Sequence, residues 1–147
     1  MLEIQDRVLD CPIYIATSNA WLPMLRPFCH LFNKFWSKDQ KVTFLGYDKP
    51  SFDLPDNFDF ISMGEQRGLS YWSDDIKPIL ESCPSEYFIY TAEDQLLTRP
   101  VDFNSLQKLL EVCKNYRPAR VGLTNTVSNQ WCDAVEGDVV ISNQNAN

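Results

Sequence analysis

The sequence predicts an α/β fold with a mainly parallel, open sheet and helices on both of its faces. Strand-like and helical segments alternate along the chain, and that order is typical of parallel strands joined by crossover helices. The strand-like segments are short apolar runs with little charge, as expected of strands that are covered on both faces. Ligands of such sheets bind beyond the carboxyl ends of the strands, near the point where the strand order reverses.

Three strands and one helix are predicted in the first half of the chain. Residues 12–16 are uncharged and rich in β-forming residues, and they predict the first strand. Residues 21–36 space their apolar side chains three and four apart, which predicts a helix beginning near Pro23 or Pro27. Residues 41–46 and 58–62 predict the second and third strands, with a Pro- and Asp-rich loop between them.

The second half continues the alternation. Residues 73–82 predict a helix capped by Ser73 and shortened or kinked by Pro78. Residues 86–92 predict the fourth strand, and a helix capped by Asp102 follows it. A fifth strand is predicted at residues 120–124, and residues 139–141 are the one further candidate beyond it.

Composition limits the classes of function. The 147 residues predict a single domain, residues 1–147. A formal charge of −7 disfavours a nucleic acid partner, because an acidic surface repels phosphate backbones. No apolar run reaches the ~20 residues of a membrane span, and the amino terminus resembles no secretory signal. We therefore expect a cytoplasmic protein whose five scattered cysteines are reduced, buried thiols.

The acidic pair Glu93-Asp94 is the first candidate site, because it directly follows the predicted fourth strand. Successive side chains at a strand end point in different directions, so one carboxylate can face a ligand while the scaffold holds the other. Carboxylate oxygens suit Mg²⁺ or Mn²⁺ that also binds substrate phosphates. The alternative is that the pair is only the polar start of a loop.

Residues 71–102 resemble the central segment of GT-A-fold glycosyltransferases, closest to small bacterial and viral enzymes. The shared features are an aromatic-Ser helix start, an apolar strand ending in Glu-Asp, a hydrophobic turn and Pro-Val-Asp. The resemblance implies that Asp94, with Glu93 beside it, binds a divalent cation (Mn²⁺ or Mg²⁺) and the diphosphate or ribose of a nucleotide sugar. Gln95 stands where the family motif has a second Asp, which leaves open binding through one carboxylate or without metal.

The resemblance extends to residues outside the acidic pair. Thr17, Ser18 and Asn19 would cradle the base and ribose; the alternative for Thr17 and Ser18 is that they cap the next helix. Trp72 and Ser73 would lie near the nucleotide, unless Trp72 belongs to the core. Apart from the resemblance, the charge of Arg67 would suit a diphosphate, unless Arg67 is a solvated loop residue. His30 is expected to be packed or exposed rather than catalytic.

The expected activity is transfer of a sugar from a nucleotide diphosphate sugar to the hydroxyl of an unknown acceptor. GT-A enzymes are usually longer, and their second half supplies the acceptor site and, in inverting members, a catalytic base. The catalytic residue is therefore unassigned, and the chain is a truncated product, a fragment of a longer protein or a minimal binding domain. A non-catalytic sugar-nucleotide-binding or assembly module is the main alternative. A receiver-like domain is disfavoured because residues 13–17 contain no acidic cluster.

Overall fold

The structure is a computed structural model that describes residues 8–118 and 120–123, together with the backbone of two short strands at 134–136 and 139–141. The chain divides into two compact units, Met1–Val101 and Asp102–Asn147. No helix within these described segments combines the length and the apolar composition that crossing a bilayer requires.

The first unit is built on a four-stranded sheet whose neighbouring strands are all parallel. Its strands are β1 (Ile13–Ala16), β2 (Val42–Gly46), β3 (Phe58–Ser62) and β4 (Ile89–Ala92). They are ordered β3-β2-β1-β4. The predicted α/β class with a parallel sheet is therefore confirmed, and the arrangement is Rossmann-like.

One face of the sheet is covered by helix α1 (Leu25–Phe35). Phe28 packs edge-on against Phe44 of β2 and Phe58 of β3, with ring centroids 5.6 and 6.5 Å apart. Phe32 lies 5.6 Å from Phe58 on the same face. Residues 19–24, which include Pro23, form a 3-10 helix, so the α-helix begins later than residue 21 and has Pro27 in its first turn.

The opposite face carries helix α2 (Trp72–Glu81). The register aligns Ile15 with both Phe44 and Thr91, which therefore share the α1 face. Tyr90 precedes Thr91 and so points to the other side, where it lines a groove together with α2. The two helices cover opposite faces of the sheet, as the sequence predicts.

Helix α2 differs from the prediction at its start. Its N-cap position is Tyr71, with no side-chain cap hydrogen bond, so Ser73 lies inside the helix and does not cap it. Pro78 is accommodated within α2, which continues to Glu81. The link before α2 includes a 3-10 turn, Leu69–Tyr71, and two glycines with positive φ, Gly64 at 92° and Gly68 at 113°.

The second unit contains helix α3 (Phe103–Tyr116) and the antiparallel pair β5 (Ala134–Glu136) and β6 (Val139–Ile141). Asp102 caps α3 by accepting a hydrogen bond from the Ser105 amide at 3.2 Å, as the sequence predicts. The predicted fifth strand is wrong for residues 120–123, which are in no strand, while Thr124 lies outside the described residues. The candidate at 139–141 is confirmed as β6, whose partner β5 is not predicted.

Candidate functional site

The strand order reverses between β1 and β4. From β1 the chain moves outward through β2 to β3, and it then returns to place β4 on the other side of β1. In open α/β sheets the ligand crevice forms at the carboxyl ends of the strands that flank such a point, so the ends of β1 and of its neighbour β4 are the candidate site, called the crevice below. Ala16 of β1 and Ala92 of β4 are register partners, so the residues that follow them flank the same crevice.

Thr17 and Ser18 leave β1 at this crevice. Thr17 is only 2% exposed, its amide donates to the carbonyl oxygen of Leu45 at 2.9 Å, and its hydroxyl donates to the Ser18 carbonyl oxygen at 3.4 Å. Ser18 occupies the N-cap position of the 3-10 helix, but its side chain makes no cap hydrogen bond. Neither hydroxyl is therefore used as a helix cap.

Asn19 ties the segment after β1 to the segments after β2 and β3. Its side-chain amide donates to the Asp48 carboxylate at 2.7 Å, and its side-chain oxygen accepts from the Asp48 amide at 2.9 Å. Its backbone amide donates to the Gln66 side-chain oxygen at 3.0 Å. Asn19 therefore links the three loops through its bonds to Asp48 and Gln66. Sequence reasoning did not assign either of these two residues to the site. The position of Asp48 just after β2 is the one sequence signal.

Arg67 is held by the protein. Its guanidinium forms an ion pair with Asp75 and lies over the Tyr71 ring, with Cζ 4.5 Å from the centroid. Asp75 also accepts a hydrogen bond from the Tyr47 hydroxyl at 2.9 Å. Because the Arg67 side chain remains 49% exposed, part of its guanidinium faces solvent, but the ion pair gives it a fixed orientation.

The Arg67 ion pair and the Tyr47 hydrogen bond lower the pKa of the Asp75 carboxyl below its ordinary value, with the Arg67 bond the larger cause. Burial and the bond to Asp75 raise the pKa of the Tyr47 phenol. Both directions favour an ionised carboxylate paired with a protonated phenol and a charged guanidinium. The cluster is therefore a stable charged brace between β2, the loop after β3 and α2.

Asp75→Asn is expected to lower the thermal unfolding midpoint near neutral pH and to matter less in acid. The folded pKa lies below the ordinary 3.8, so the stabilisation is fully present above that value and is lost as pH falls through the folded pKa. Thermal unfolding followed by circular dichroism, at about pH 7 and about pH 3, measures the difference from the wild type. Asp74→Asn is the control in the same helical turn. A midpoint difference for Asp75→Asn that is equal at both pH values would contradict the assigned charge pairing.

Trp72 and Ser73 belong to the first turn of α2. Trp72 packs edge-on against Tyr47 with ring centroids 6.0 Å apart, and it lines a groove together with Tyr90 of β4. Trp72 is half-buried and Ser73 is exposed. Trp72 therefore packs against the brace, which supports its packing role, and its exposed part and Ser73 line a groove along α2.

Glu93 and Asp94 separate after β4, as expected of successive residues at a strand end. Glu93 is buried, at 6% exposure, and its amide donates to the Ala16 carbonyl oxygen at 3.2 Å. Burial, opposed by its backbone hydrogen bond and reinforced by the charge of Asp94, raises the pKa of the Glu93 carboxyl. Asp94 is exposed and accepts a hydrogen bond from the Gln95 side-chain amide at 3.3 Å.

The donor set sets a limit on metal binding. Within residues 8–118 and 120–123, no group of three or more His, Cys, Asp or Glu side chains is arranged to hold an ion. Burial disfavours the charged form of Glu93 that a cation would need. Asp94 offers an exposed carboxylate directly after β4, which fits an ion such as Mn²⁺ or Mg²⁺ only where substrate phosphates complete its ligands.

Comparisons of the chain with protein families, with curated proteins and with solved structures found no match.

Proposed function

We propose that the first unit binds a nucleotide diphosphate sugar at the crevice between β1 and β4, and that the protein transfers the sugar to an acceptor hydroxyl. The observation that supports this most is the position of the polar residues. Thr17, Ser18 and Asn19 follow β1 while Glu93 and Asp94 follow β4, and these two strands flank the reversal of strand order. This is where open parallel sheets bind nucleotides.

The proposed roles of these residues depend on how exposed each side chain is. Ser18 would offer a small polar side chain to a base and ribose, and Asn19 would shape the surface beside it. Asn19 is held by Asp48 and Gln66, so the nucleotide would meet a preformed surface. Buried Glu93 would act as a positioning residue beneath the crevice, and the exposed Asp94 would face the diphosphate.

The proposed reaction is attack by the acceptor oxygen on the anomeric carbon, with cleavage of the bond between that carbon and the departing phosphate oxygen. The acceptor proton passes to a base that the described residues do not identify, and the nucleotide diphosphate leaves. Negative charge on the leaving group would be offset by a divalent ion for which Asp94 is the protein ligand. Arg67, already paired with Asp75, is better suited to orient the brace than to bind phosphate.

Asp94→Asn is expected to weaken sugar-nucleotide binding at least about 10-fold, or about 1.4 kcal/mol, because it removes the charged oxygen that a metal-diphosphate group requires. Titration calorimetry against UDP-, GDP- and CDP-sugars, with and without Mn²⁺, measures this loss. Asp59→Asn, at an exposed residue of β3, is the control and should bind like the wild type. Absence of binding by the wild type, or unchanged affinity in Asp94→Asn, would overturn the proposal.

A non-catalytic sugar-nucleotide-binding module is the second candidate. The observation that favours it is that exposed Asp94 stands between buried Glu93 and Gln95, with no second acid at the position of Gln95. The two candidates differ in turnover. Release of free nucleoside diphosphate from the sugar nucleotide that binds best, in the presence of Mn²⁺ and mixed oligosaccharide acceptors, would exclude the non-catalytic module.

A further inference from the structure

A basic groove of about 470 Å³ lies between α1 and the loop that joins β2 to β3. The groove is lined on the α1 side by basic residues spaced four apart: Arg26, His30, Lys34 and Lys38. The first three lie on α1, where this spacing places them on one side of the helix, and Lys38 follows just beyond its end. The loop contributes Phe52, Asp53 and Pro55.

The charge of this basic groove is opposite to that of the chain as a whole. The lining residues include Arg26, Lys34 and Lys38 but one carboxylate, Asp53, on a chain whose formal charge is −7. The ion pairs found among the described residues are Arg67–Asp75 and Lys77–Glu81, and neither includes a residue of the groove. The positive charge of the groove is therefore available to a partner.

The walls of the basic groove are held in place. The Arg26 guanidinium lies 4.4 Å from the centroid of the Phe52 ring. Asn33 and Asn57 donate to each other's side-chain oxygens at 3.3 and 2.9 Å, which fixes the amide that lines the groove. Burial raises the pKa of the Cys29 thiol to about 12, so this part of the lining stays neutral. A site organised in advance loses less entropy when it binds.

The spacing of the basic side chains matches an extended peptide. Residues four apart on a helix rise about 6 Å along its axis. Alternate residues of an extended chain lie on the same side about 6.6 Å apart. Carboxylates at alternate positions of a peptide could therefore meet Arg26, His30 and Lys34 in turn, and Phe52 and Pro55 would contact the apolar residues between them.

We propose that the basic groove docks a short, extended acidic segment of a partner protein, with carboxylates at alternate positions. A short segment responds to the local charge, because screening limits exposed charges to a range of about 8–10 Å. A long nucleic acid would also meet the acidic remainder of the surface, and a flat lipid surface would not enter a concave groove.

Fluorescence anisotropy of a labelled heptapeptide in which Glu alternates with Ala tests the proposal on the full chain. The variant Lys34→Gln/Lys38→Gln is expected to weaken peptide binding at least about 10-fold, because two charge-assisted contacts are lost. The matched control, Lys77→Gln/Lys108→Gln, removes the same charge from exposed residues that do not line the groove, and it should change the affinity less than about 2-fold.

Other outcomes overturn the proposal. If both double variants lose the same peptide affinity, the peptide responds to the general charge of the protein and not to the groove. If the wild type does not bind the peptide, the groove is not a peptide site. If the protein binds inorganic tripolyphosphate or phosphatidylglycerol vesicles but not the peptide, the groove is a site for phosphate groups instead. None of these results depends on the sugar-nucleotide site, which Asp94→Asn tests separately.

Discussion

Phe44→Ala is expected to destabilise the protein by about 3–5 kcal/mol, the usual loss for removing a fully buried aromatic ring. Phe44 is 0% exposed, and its ring lies 5.6 Å from that of Phe28 and 5.4 Å from that of Phe58. Removing it leaves a cavity between β2, β3 and α1 that these rings can fill only by moving. Urea unfolding gives the loss from the shift in midpoint at a constant slope.

Phe60→Ala is the control for this prediction. Phe60 is the register partner of Phe44 on the neighbouring strand β3, but it is only half-buried. Its truncation should therefore cost less than that of Phe44. Equal losses, or a larger loss for Phe60→Ala, would show that Phe44 is not at the centre of the packing between the sheet and α1.

Gly46→Ala is expected to cost about 1–3 kcal/mol, as forcing an extra carbon into a packed site does, and to weaken binding at the crevice. A Cβ on Gly46 would lie 2.7 Å from the Thr17 methyl carbon and 2.8 Å from the Phe60 ring. The half-buried Phe60 ring can move, but Thr17 is 2% exposed and short. Part of the strain therefore displaces Thr17, which begins the segment proposed to bind the nucleotide.

Thermal unfolding and sugar-nucleotide titration of the same Gly46→Ala sample measure the two effects. Gly122→Ala is the control, since a Cβ there meets nothing within 4 Å and the change should be close to neutral. An unchanged unfolding midpoint in Gly46→Ala would mean that β2 and Thr17 adjust without cost. If stability falls while sugar-nucleotide binding is unchanged, Thr17 is not part of the binding site.

The fold class could be predicted because strand and helix signals alternate and are local. Residues 58–62 form a strand with the predicted bounds. The fourth strand is shorter than its apolar run, and the sheet explains this. Ile89 is the register partner of Ile13, so β4 begins where β1, its neighbour among the described strands, begins. Residues 86–88 therefore have no strand beside them with which to form sheet hydrogen bonds.

The contacts of the candidate site could be predicted only in part. The positions of Thr17 and Glu93-Asp94 follow from their place directly after strands. Two contacts depend on how separate loops approach each other. They are the ion pair of Arg67 with Asp75 and the hydrogen bonds between Asn19 and Asp48. Residue spacing gives no information on such contacts, so the bonds of Asp75 to Arg67 and Tyr47 could not be predicted.

The return of the chain to β1 also bears on how the protein folds. The β1–β2 pairing joins residues 14 and 43, whereas the β1–β4 pairing joins residues 13 and 89. Closing the loop between residues 13 and 89 loses more chain entropy, and this loss comes before the contacts between the two strands can stabilise the sheet. Sheets with such distant pairings fold slowly. We therefore expect the crevice to form late in folding and a ligand bound there to act mainly by slowing unfolding.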